Sequence, residues 1–190
     1  MSPAAVVGIV VGVVVLLLVV ALVVSYNRFM SQKNLITESW KQIDVELQRR
    51  FDLIPNLVET VKGYAAHERS VIEAVTAARA NAERHREDGP AGRQEPESSL
   101  GRAVGGLLAV AEAYPDLKAS GNFLELQQQL GYTEDRIAAG RRFYNGNVRA
   151  YNTRIQTVPS NLVAAMFHFT PAEYFEIEDP QARQPVQVQF

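Results

Sequence analysis

The chain has 190 residues, a formal net charge of -2 and no cysteine. This length suits one domain of ordinary size, and the near-neutral charge gives no electrostatic reason to expect binding to nucleic acid. Disulfides, zinc–thiolate sites and thiol chemistry are excluded because there is no cysteine.

The first predicted element is a membrane anchor. Residues 4–24 contain no charged and no strongly polar side chain. About 20 apolar residues in a helix cross about 30 Å of hydrocarbon, and a helix satisfies its own backbone hydrogen bonds in lipid. A cleaved signal peptide fits less well, because no Lys or Arg precedes the run, the run is too long and no A-x-A site follows it. We therefore expect residues 1–25 to anchor the chain in the cell membrane by a single pass.

Charges near the anchor predict its orientation. Arg28, Lys33 and Lys41 follow the apolar run, whereas no basic residue precedes it. The positive-inside rule then places the N-terminus outside and the C-terminal domain in the cytoplasm. Within the anchor, Gly8 and Gly12 form a GxxxG pair that would let two anchors pack closely. Two glycines spaced by chance among valines explain the pair equally well.

Two helices are predicted after the anchor. The first has a buried stripe that includes Arg50 among apolar residues at steps of three and four: Ile36, Trp40, Ile43, Leu47 and Ile54. Pro55 is expected to end it and to open the second helix, with Asp52 as a cap. The second stripe is Leu57, Val58, Val61, Ala65, Ile72, Val75 and Ala82.

The remaining elements follow from the same spacing. Residues 88–99 are predicted to be a loop rich in Gly, Pro and charge, followed by a third helix over residues 100–114 and a turn at "YPDLK". A fourth helix carries a seam over more than four heptads: Phe123, Gln127, Leu130, Glu134, Ile137, Arg141, Tyr144, Val148, Tyr151 and Ile155. A short helix is then expected from residue 160 to 167.

The expected architecture is all-α, because four helices with short links form an antiparallel up-and-down bundle. The predicted divisions are the anchor at residues 1–25, the bundle at 26–158, a short C-terminal helix and loop at 159–176, and an extended tail at 177–190. Helix one would leave the bilayer and helix two return, so that "RRFDLIPN" would lie at the membrane-distal tip beside "YPDLK".

Several specific motifs resemble the LemA family of bacterial membrane proteins. They are "SWKQIDVELQRRFDLIPNLVETVKGYAAHE", "AYPDLKAS", "NFLELQQQL", "TEDRIAAGRRFYN", "YNTRIQ" and "PSNLVAAMF". The resemblance covers residues 26–175. It departs at Asp135, where the family commonly has Asn, and at "AAG" over residues 138–140, which replaces a bulkier segment. The resemblance implies one N-terminal membrane helix and an antiparallel helical bundle, but no reaction.

A structural polar network is predicted inside the bundle. Its members are Arg50, Asp52, Asn56, Glu68, Glu134 and Arg141. Arg50 lies in the buried stripe, and a buried guanidinium needs carboxylate or carbonyl partners. The competing interpretation is a tip that binds an anionic ligand through Arg49 and Arg50. Paired ionic groups that fix a helix corner are the favoured interpretation.

The predicted function is that of a non-enzymatic, membrane-anchored interaction or scaffolding module. No phosphate-binding loop, dinucleotide fingerprint, nucleophile elbow or HExxH motif is present, and we expect no cofactor and no small-molecule substrate. The expected partners are the lipid bilayer and a membrane protein or a second copy of the chain. One alternative is a metal-binding bundle that uses the inward carboxylates Glu68 and Glu134. Another is a membrane-remodelling protein in which "NLVAAMFHF" inserts shallowly into lipid.

Overall fold

The computed structural model of the chain describes residues 2–176 and confirms the all-α prediction. The predicted tail at residues 177–190 lies outside the described residues. The helices, with a 3-10 turn at Ala111–Ala113 after the third, are α1 (Pro3–Tyr64), α2 (Arg69–Arg84), α3 (Pro90–Val110), α4 (Pro115–Lys118), α5 (Gly121–Gln156) and α6 (Ser160–Met166).

The chain divides into two compact units, and each unit is made of two separate segments. Within the described residues, unit 1 consists of residues 2–39 and 145–172, and unit 2 consists of residues 40–144 and 173–176. The helices α1 and α5 therefore contribute residues to both units. The domain boundaries predicted after residues 25, 158 and 176 stay predictions.

Side-chain pairs define the direction of α1 and α5 within unit 2. Glu46 of α1 pairs with Arg136 of α5 at 2.6 Å, and Arg50 of α1 pairs with Glu134 of α5 at 2.8 Å. As the residue number rises along α1 it falls along α5, so the two helices are antiparallel.

The helices α1 and α3 run in the same direction. Asp44 contacts Arg93, and Arg50 contacts Glu97, so the residue numbers rise together along both helices. Together with the short turns on either side of α2, this gives the up-and-down order expected for a four-helix bundle of α1, α2, α3 and α5.

The core follows the predicted stripes at their apolar positions, but the prediction that Gln127 and Glu134 of α5 point inward is wrong, because both residues are exposed. Every apolar residue of the second predicted stripe is buried, and the every-seventh positions of α5 are buried as well. The buried apolar and aromatic side chains of α5 are Phe123, Leu130, Ile137, Tyr144, Val148 and Tyr151. Close approach is required at Gly140, where an added Cβ would lie 3.0 Å from Ile43 Cγ1.

The prediction that Pro55 ends the first helix is wrong. Pro55 lies inside α1, which continues to Tyr64, so the corner lies at residues 65–68 and not at "RRFDLIPN". Proline has no N–H for the carbonyl four residues earlier, which here is the carbonyl of Phe51. Arg79 of α2 supplies the missing donor: its Nε donates to Phe51 O at 3.4 Å, and its guanidinium lies 3.7 Å from the centre of the Phe51 ring.

The prediction of a loop over residues 88–99 is also wrong, because α3 begins at Pro90. Proline at the first helical position has the required backbone angle and no donor to lose. Gly92 is needed here, since an added Cβ would lie 2.8 Å from the Cβ of Asp88. The predicted turn at "YPDLK" contains a short helix, α4, which also begins at a proline.

Unit 1 is held together by aromatic rings and by the returning C-terminal segment. The rings of Phe29 and Phe169 stack with their centres 4.7 Å apart, and those of Tyr26 and Phe167 are 4.8 Å apart. Asn152 of α5 fixes the segment after α6, because its side chain donates to the Ala172 carbonyl at 2.9 Å and accepts from the Ala172 amide at 2.8 Å.

Candidate functional site

The charged residues at the centre of unit 2 form one connected ion-pair network. Glu97 of α3 accepts hydrogen bonds from Arg50 of α1 through one carboxylate oxygen and from Arg93, one helical turn earlier on α3, through the other. Arg50 also donates to Glu134 of α5 at 2.8 Å, and Arg93 donates to Asp44 of α1 at 2.6 Å. The network therefore ties three helices together.

Burial differs sharply across this network. Arg50 is 1% exposed, and Arg93 and Glu97 are each 5% exposed, whereas the side chains of Glu134 and Asp44 are 47% and 48% exposed. Burial by itself would lower the pKa of Arg50, but the charges of Glu134 and then Glu97, with their hydrogen bonds, raise its pKa above the usual value. The buried guanidinium thus stays charged and paired.

The network has no room for a ligand. The cavity beside it, between Phe51 and Glu97, has a volume of only about 10 Å³, no more than one water molecule needs. Each of the three buried charged side chains is engaged with another member. This geometry fits a structural role, because buried ions are retained where they are mutually paired and cost several kcal/mol where they are not.

The other predicted network residues lie elsewhere. Asp52 accepts a hydrogen bond from Gln48 at 2.7 Å on the surface of α1, and Asn56 is exposed. Glu68, in the turn between α1 and α2, accepts from the Tyr114 hydroxyl at 2.8 Å. That hydrogen bond, followed by burial, raises the pKa of Tyr114. Arg141 is half-buried on α5 and does not lack partners.

Arg93, Glu97 and Asp44 belong to the network but are not among the residues predicted from the sequence. The first two fall in residues 88–99, where Gly and Pro predict a loop. A signal was nevertheless present, because the buried stripe of α3 extends backwards through both charged residues in steps of four and three. The stripe is Arg93, Glu97, Leu100, Val104, Leu107 and Ala111.

The carboxylates proposed as metal ligands have separate partners. Glu68 accepts from Tyr114, whereas Glu134 accepts from Arg50. Among residues 2–176, no group of three or more His, Asp or Glu side chains is placed to hold a metal ion. A Cβ added at Gly8 or Gly12 of the anchor would have no neighbouring atom within 4 Å. The role of these glycines in packing against a second anchor therefore stays a prediction.

An arginine–tyrosine patch on the surface of unit 2 is the second candidate site. Tyr132 of α5 is 52% exposed and has two arginines near its ring, with Arg49 at 5.7 Å and Arg136 at 5.5 Å from the ring centre. The hydrogen bond of Arg136 to the Tyr132 hydroxyl, and then the charge of Glu46, raise the pKa of Arg136. Phe143, about three turns further along α5, is 55% exposed.

A third surface lies in unit 1, at α6. Four apolar side chains at and beside this short helix are strongly exposed: Val158 (78%), Leu162 (67%), Met166 (60%) and Phe167 (41%). Exposed apolar residues this close together mark contact with a protein or with lipid more often than isolated ones do.

The first half of α1 has the properties of a membrane span. Within the described residues it is the one helix that is long and apolar enough to cross a bilayer, and its apolar side chains are exposed. The apolar span, the all-helical fold and the internally paired charges together define a membrane-associated helical protein.

Comparison with known proteins identifies the family. A family model described as LemA family matches residues 39–190, so the chain belongs to the LemA family. It is 28% identical to magnetosome protein MamQ 2 of Paramagnetospirillum magneticum, over 85% of this chain and 68% of that protein. It is 26% identical to magnetosome protein MamQ of Magnetospirillum gryphiswaldense, with the same coverage, and 26% identical to protein LemA of Metamycoplasma hominis, over 83% of this chain and 75% of that protein.

Proposed function

We propose that the chain is a non-enzymatic interaction module, held at the membrane by α1 and facing the cytoplasm, that binds another membrane protein or a second copy of itself. The observation that carries this proposal is the contrast between interior and surface. Arg50, Arg93 and Glu97, the most deeply buried charges of unit 2, pair with one another, whereas the side chains of Tyr132, Arg136 and Phe143 are exposed on α5.

The composition of the arginine–tyrosine patch supports a protein partner. Tyr and Arg are enriched at the centres of protein interfaces and among the residues that dominate binding energy. Tyr132 already contacts Arg49 and accepts a hydrogen bond from Arg136, so little side-chain entropy would be lost on binding. Its ring and that of Phe143 offer apolar area on the same helix.

Photocrosslinking in native membranes tests this proposal. We would replace Tyr132 or Phe143 in the full-length chain with a benzophenone amino acid, which preserves an aromatic ring at the site. We expect each variant to give a discrete protein adduct. The adduct mass distinguishes a partner from a second 21.1 kDa copy of the chain.

The matched control places the same photoreactive residue at Glu73, which is exposed on α2 of the same unit. The control is expected to give no discrete adduct. Absence of a protein adduct at both α5 positions, together with a monomeric protein in detergent, would overturn the interaction proposal.

A second candidate function is favoured by α6. We infer that this helix rests on the lipid surface, because Leu162, Met166 and Phe167 are exposed close to Tyr26, which directly follows the span. Amphipathic segments with such apolar faces bury them about 5–10 Å into the interface. This supports the membrane-remodelling alternative.

Since the chain has no cysteine, single-cysteine labelling tests the lipid contact cleanly. A fluorophore on Leu162→Cys in nanodiscs is expected to be shielded from an aqueous quencher, and the Phe167→Asp substitution is expected to expose it. The reference label is Arg149→Cys, which lies on an exposed part of α5. Equal quenching at both labels would rule this candidate out.

A further inference from the structure

Unit 1 contains a groove with a cavity volume of about 850 Å³, formed by α1, α5 and α6. One face of α1 lines it at helical steps, from Leu18 and Leu22 in the span to Arg28 and Gln32 beyond it. Arg154 of α5 lies on the facing wall, and Leu162 and Met166 of α6 contribute apolar surface.

The two ends of this groove differ in chemistry. Its lower part is lined by apolar side chains of the candidate membrane span. Its upper part holds two guanidinium groups, Arg28 and Arg154, and no carboxylate lines the groove. Within residues 2–176 neither arginine belongs to an ion pair. Arg154 is positioned by the Phe29 ring, whose centre is 5.8 Å from its guanidinium carbon.

Two hydroxyl groups that line the groove already donate their protons within the protein. The Thr157 hydroxyl donates to the Thr153 carbonyl at 2.6 Å, and the Ser160 hydroxyl donates to the Arg154 carbonyl at 2.7 Å. Among the described residues that line the groove, Arg28 and Arg154 are the only charged groups, and both can donate to a ligand. Planar guanidinium groups bind phosphate oxygens with paired hydrogen bonds.

The charge of unit 1 points to an anionic ligand. Residues 1–39 and 145–172 contain four Lys and Arg residues against one carboxylate, Glu38, a net charge of +3. Since the whole chain carries -2, the remainder of the sequence carries -5. The positive charge is thus concentrated in the unit that contains the membrane span.

The spacing along α1 matches the dimensions of a phospholipid. Arg28 lies four residues beyond Val24, or about 6 Å at 1.5 Å per residue, which is headgroup depth just outside the hydrocarbon. Leu18 lies about 15 Å below Arg28 on the same basis, within reach of an acyl chain. Basic pockets between helices at this depth bind anionic lipid headgroups.

We propose that this groove is a binding site for one anionic glycerophospholipid. The phosphate lies between Arg28 and Arg154, and an acyl chain follows the span past Leu22 and Leu18. The proposal rests on membrane anchoring and is independent of a protein partner. The bilayer is the source of the ligand, because the wall of the groove is itself part of the span.

Native mass spectrometry of the full-length protein in neutral detergent tests the proposal. Phosphatidylglycerol and phosphatidylcholine with identical acyl chains are added in separate and competing titrations. We expect the wild type to retain one phosphatidylglycerol in clear preference to phosphatidylcholine. Soluble glycerol phosphate, which has the phosphate without the chains, is expected to bind far more weakly, because it lacks the apolar contacts.

The variant Arg28→Gln/Arg154→Gln is expected to lose preference for phosphatidylglycerol by about fivefold for each arginine removed. Its matched control is Lys33→Gln/Arg149→Gln, which removes the same charge from the same unit at exposed positions outside the groove. The control is expected to keep the wild-type preference. Equal losses in the two variants would overturn the site, as would a wild type without preference.

A variant that keeps both arginines guards against misfolding of the double mutant. Ala150 lines the groove and is exposed, so Ala150→Phe fills part of the space without burying a new group in the core. It is expected to reduce lipid retention while the helical circular dichroism stays unchanged. Full retention of phosphatidylglycerol by this variant would show that the lipid binds elsewhere and would refute the proposal.

Discussion

Glu97 is the carboxylate on which two buried arginines depend. It accepts from Arg50 and Arg93 through different oxygens, and all three side chains are almost fully buried. Replacing it with glutamine leaves two guanidinium groups without their buried counter-charge. Since breaking a buried ion pair costs about 3–5 kcal/mol, we expect Glu97→Gln to lower the free energy of unfolding by about 3 kcal/mol, measured by chemical denaturation in detergent micelles.

Glu134→Gln is the matched comparison. This side chain is 47% exposed, and Arg50 keeps Glu97 as a partner when it is replaced. Solvent screens such a pair, so the expected loss in the same assay is about 1 kcal/mol or less. Equal losses of unfolding free energy in the two variants would show that the buried pair contributes no more to stability than the exposed one.

Arg79 and Pro55 are predicted to be coupled through one carbonyl group. Arg79 donates to Phe51 O, which has no amide partner because residue 55 is proline. In the Pro55→Ala background the helix supplies that donor itself. A double-mutant cycle of Pro55→Ala and Arg79→Met should therefore give a coupling free energy of about 1 kcal/mol. Additive effects, within about 0.4 kcal/mol, would show that Arg79 does not compensate for the proline.

Spacing along one helix predicts which of these residues point inward, but it does not predict their partners on other helices. The inward position of Arg50 follows from its place in the apolar stripe of α1. Its partner Glu97 does not, because that residue lies on a different helix in a stretch rich in Gly and Pro. Pro55 wrongly predicts a helix end for the same reason. The side chain that supplies the missing donor, Arg79, belongs to another helix.

At the scale of elements, the start of α3 gives a further prediction. Residues 93–99 lie inside a helix whose inner face carries Arg93 and Glu97. We expect their amides, apart from Pro96 which has none, to exchange hydrogen about 100-fold more slowly than those of the surface turn at residues 85–88. Hydrogen exchange with mass spectrometry measures this. Rapid exchange over residues 93–99 would restore the loop interpretation.

The segment after residue 172 is tied to unit 2 by Tyr144, whose hydroxyl donates to the Glu173 carbonyl at 2.8 Å. Burial, and then the charge of Glu173, raises the pKa of Tyr144 from 10.0 to about 12. Below pH 10 both the folded and the unfolded chain keep this proton, so the contribution to stability is complete. Between pH 10 and about 12 the unfolded chain loses the proton first, and stability falls as the pH rises.

Tyr144→Phe is expected to flatten this alkaline fall in stability, measured as the unfolding midpoint in denaturant between pH 9 and about 12. Some slope should remain, because burial also raises the pKa of Tyr151. Loss of the hydroxyl should lower the free energy of unfolding at pH 8 by the contribution of one hydrogen bond, about 1 kcal/mol. An unchanged slope would mean that Tyr144 ionises normally in the folded protein.

Helix faces are the part of this fold that sequence spacing predicts best. Apolar residues at steps of three and four identify the buried sides of α1, α2 and α5, because burial of such a stripe is what stabilises a helix in a bundle. The ends of helices are harder to predict from the sequence. Pro90 begins a helix, whereas Pro55 and Pro96 lie inside helices, and the difference depends on the residues that surround each proline in the fold. The surface patch at Tyr132 has no periodic signal at all.

Across the whole molecule, interior and exterior charges have different roles. Arg50, Arg93 and Glu97 form a buried triad, and the outer partners of its two arginines, Glu134 and Asp44, are about half exposed. Replacing such a triad with apolar residues of similar volume is often neutral or stabilising, whereas removing one member is costly. If the triad serves architecture alone, its complete replacement leaves the surface functions intact.

The most direct test is photocrosslinking at position 132 in the variant Arg50→Met/Arg93→Met/Glu97→Leu, in native membranes and beside the wild-type background. The account predicts that this variant folds, by circular dichroism and thermal unfolding, and gives the same protein adduct in similar yield. A folded variant that has lost the adduct would contradict the account, because the buried charges would then take part in function and not only in the fold.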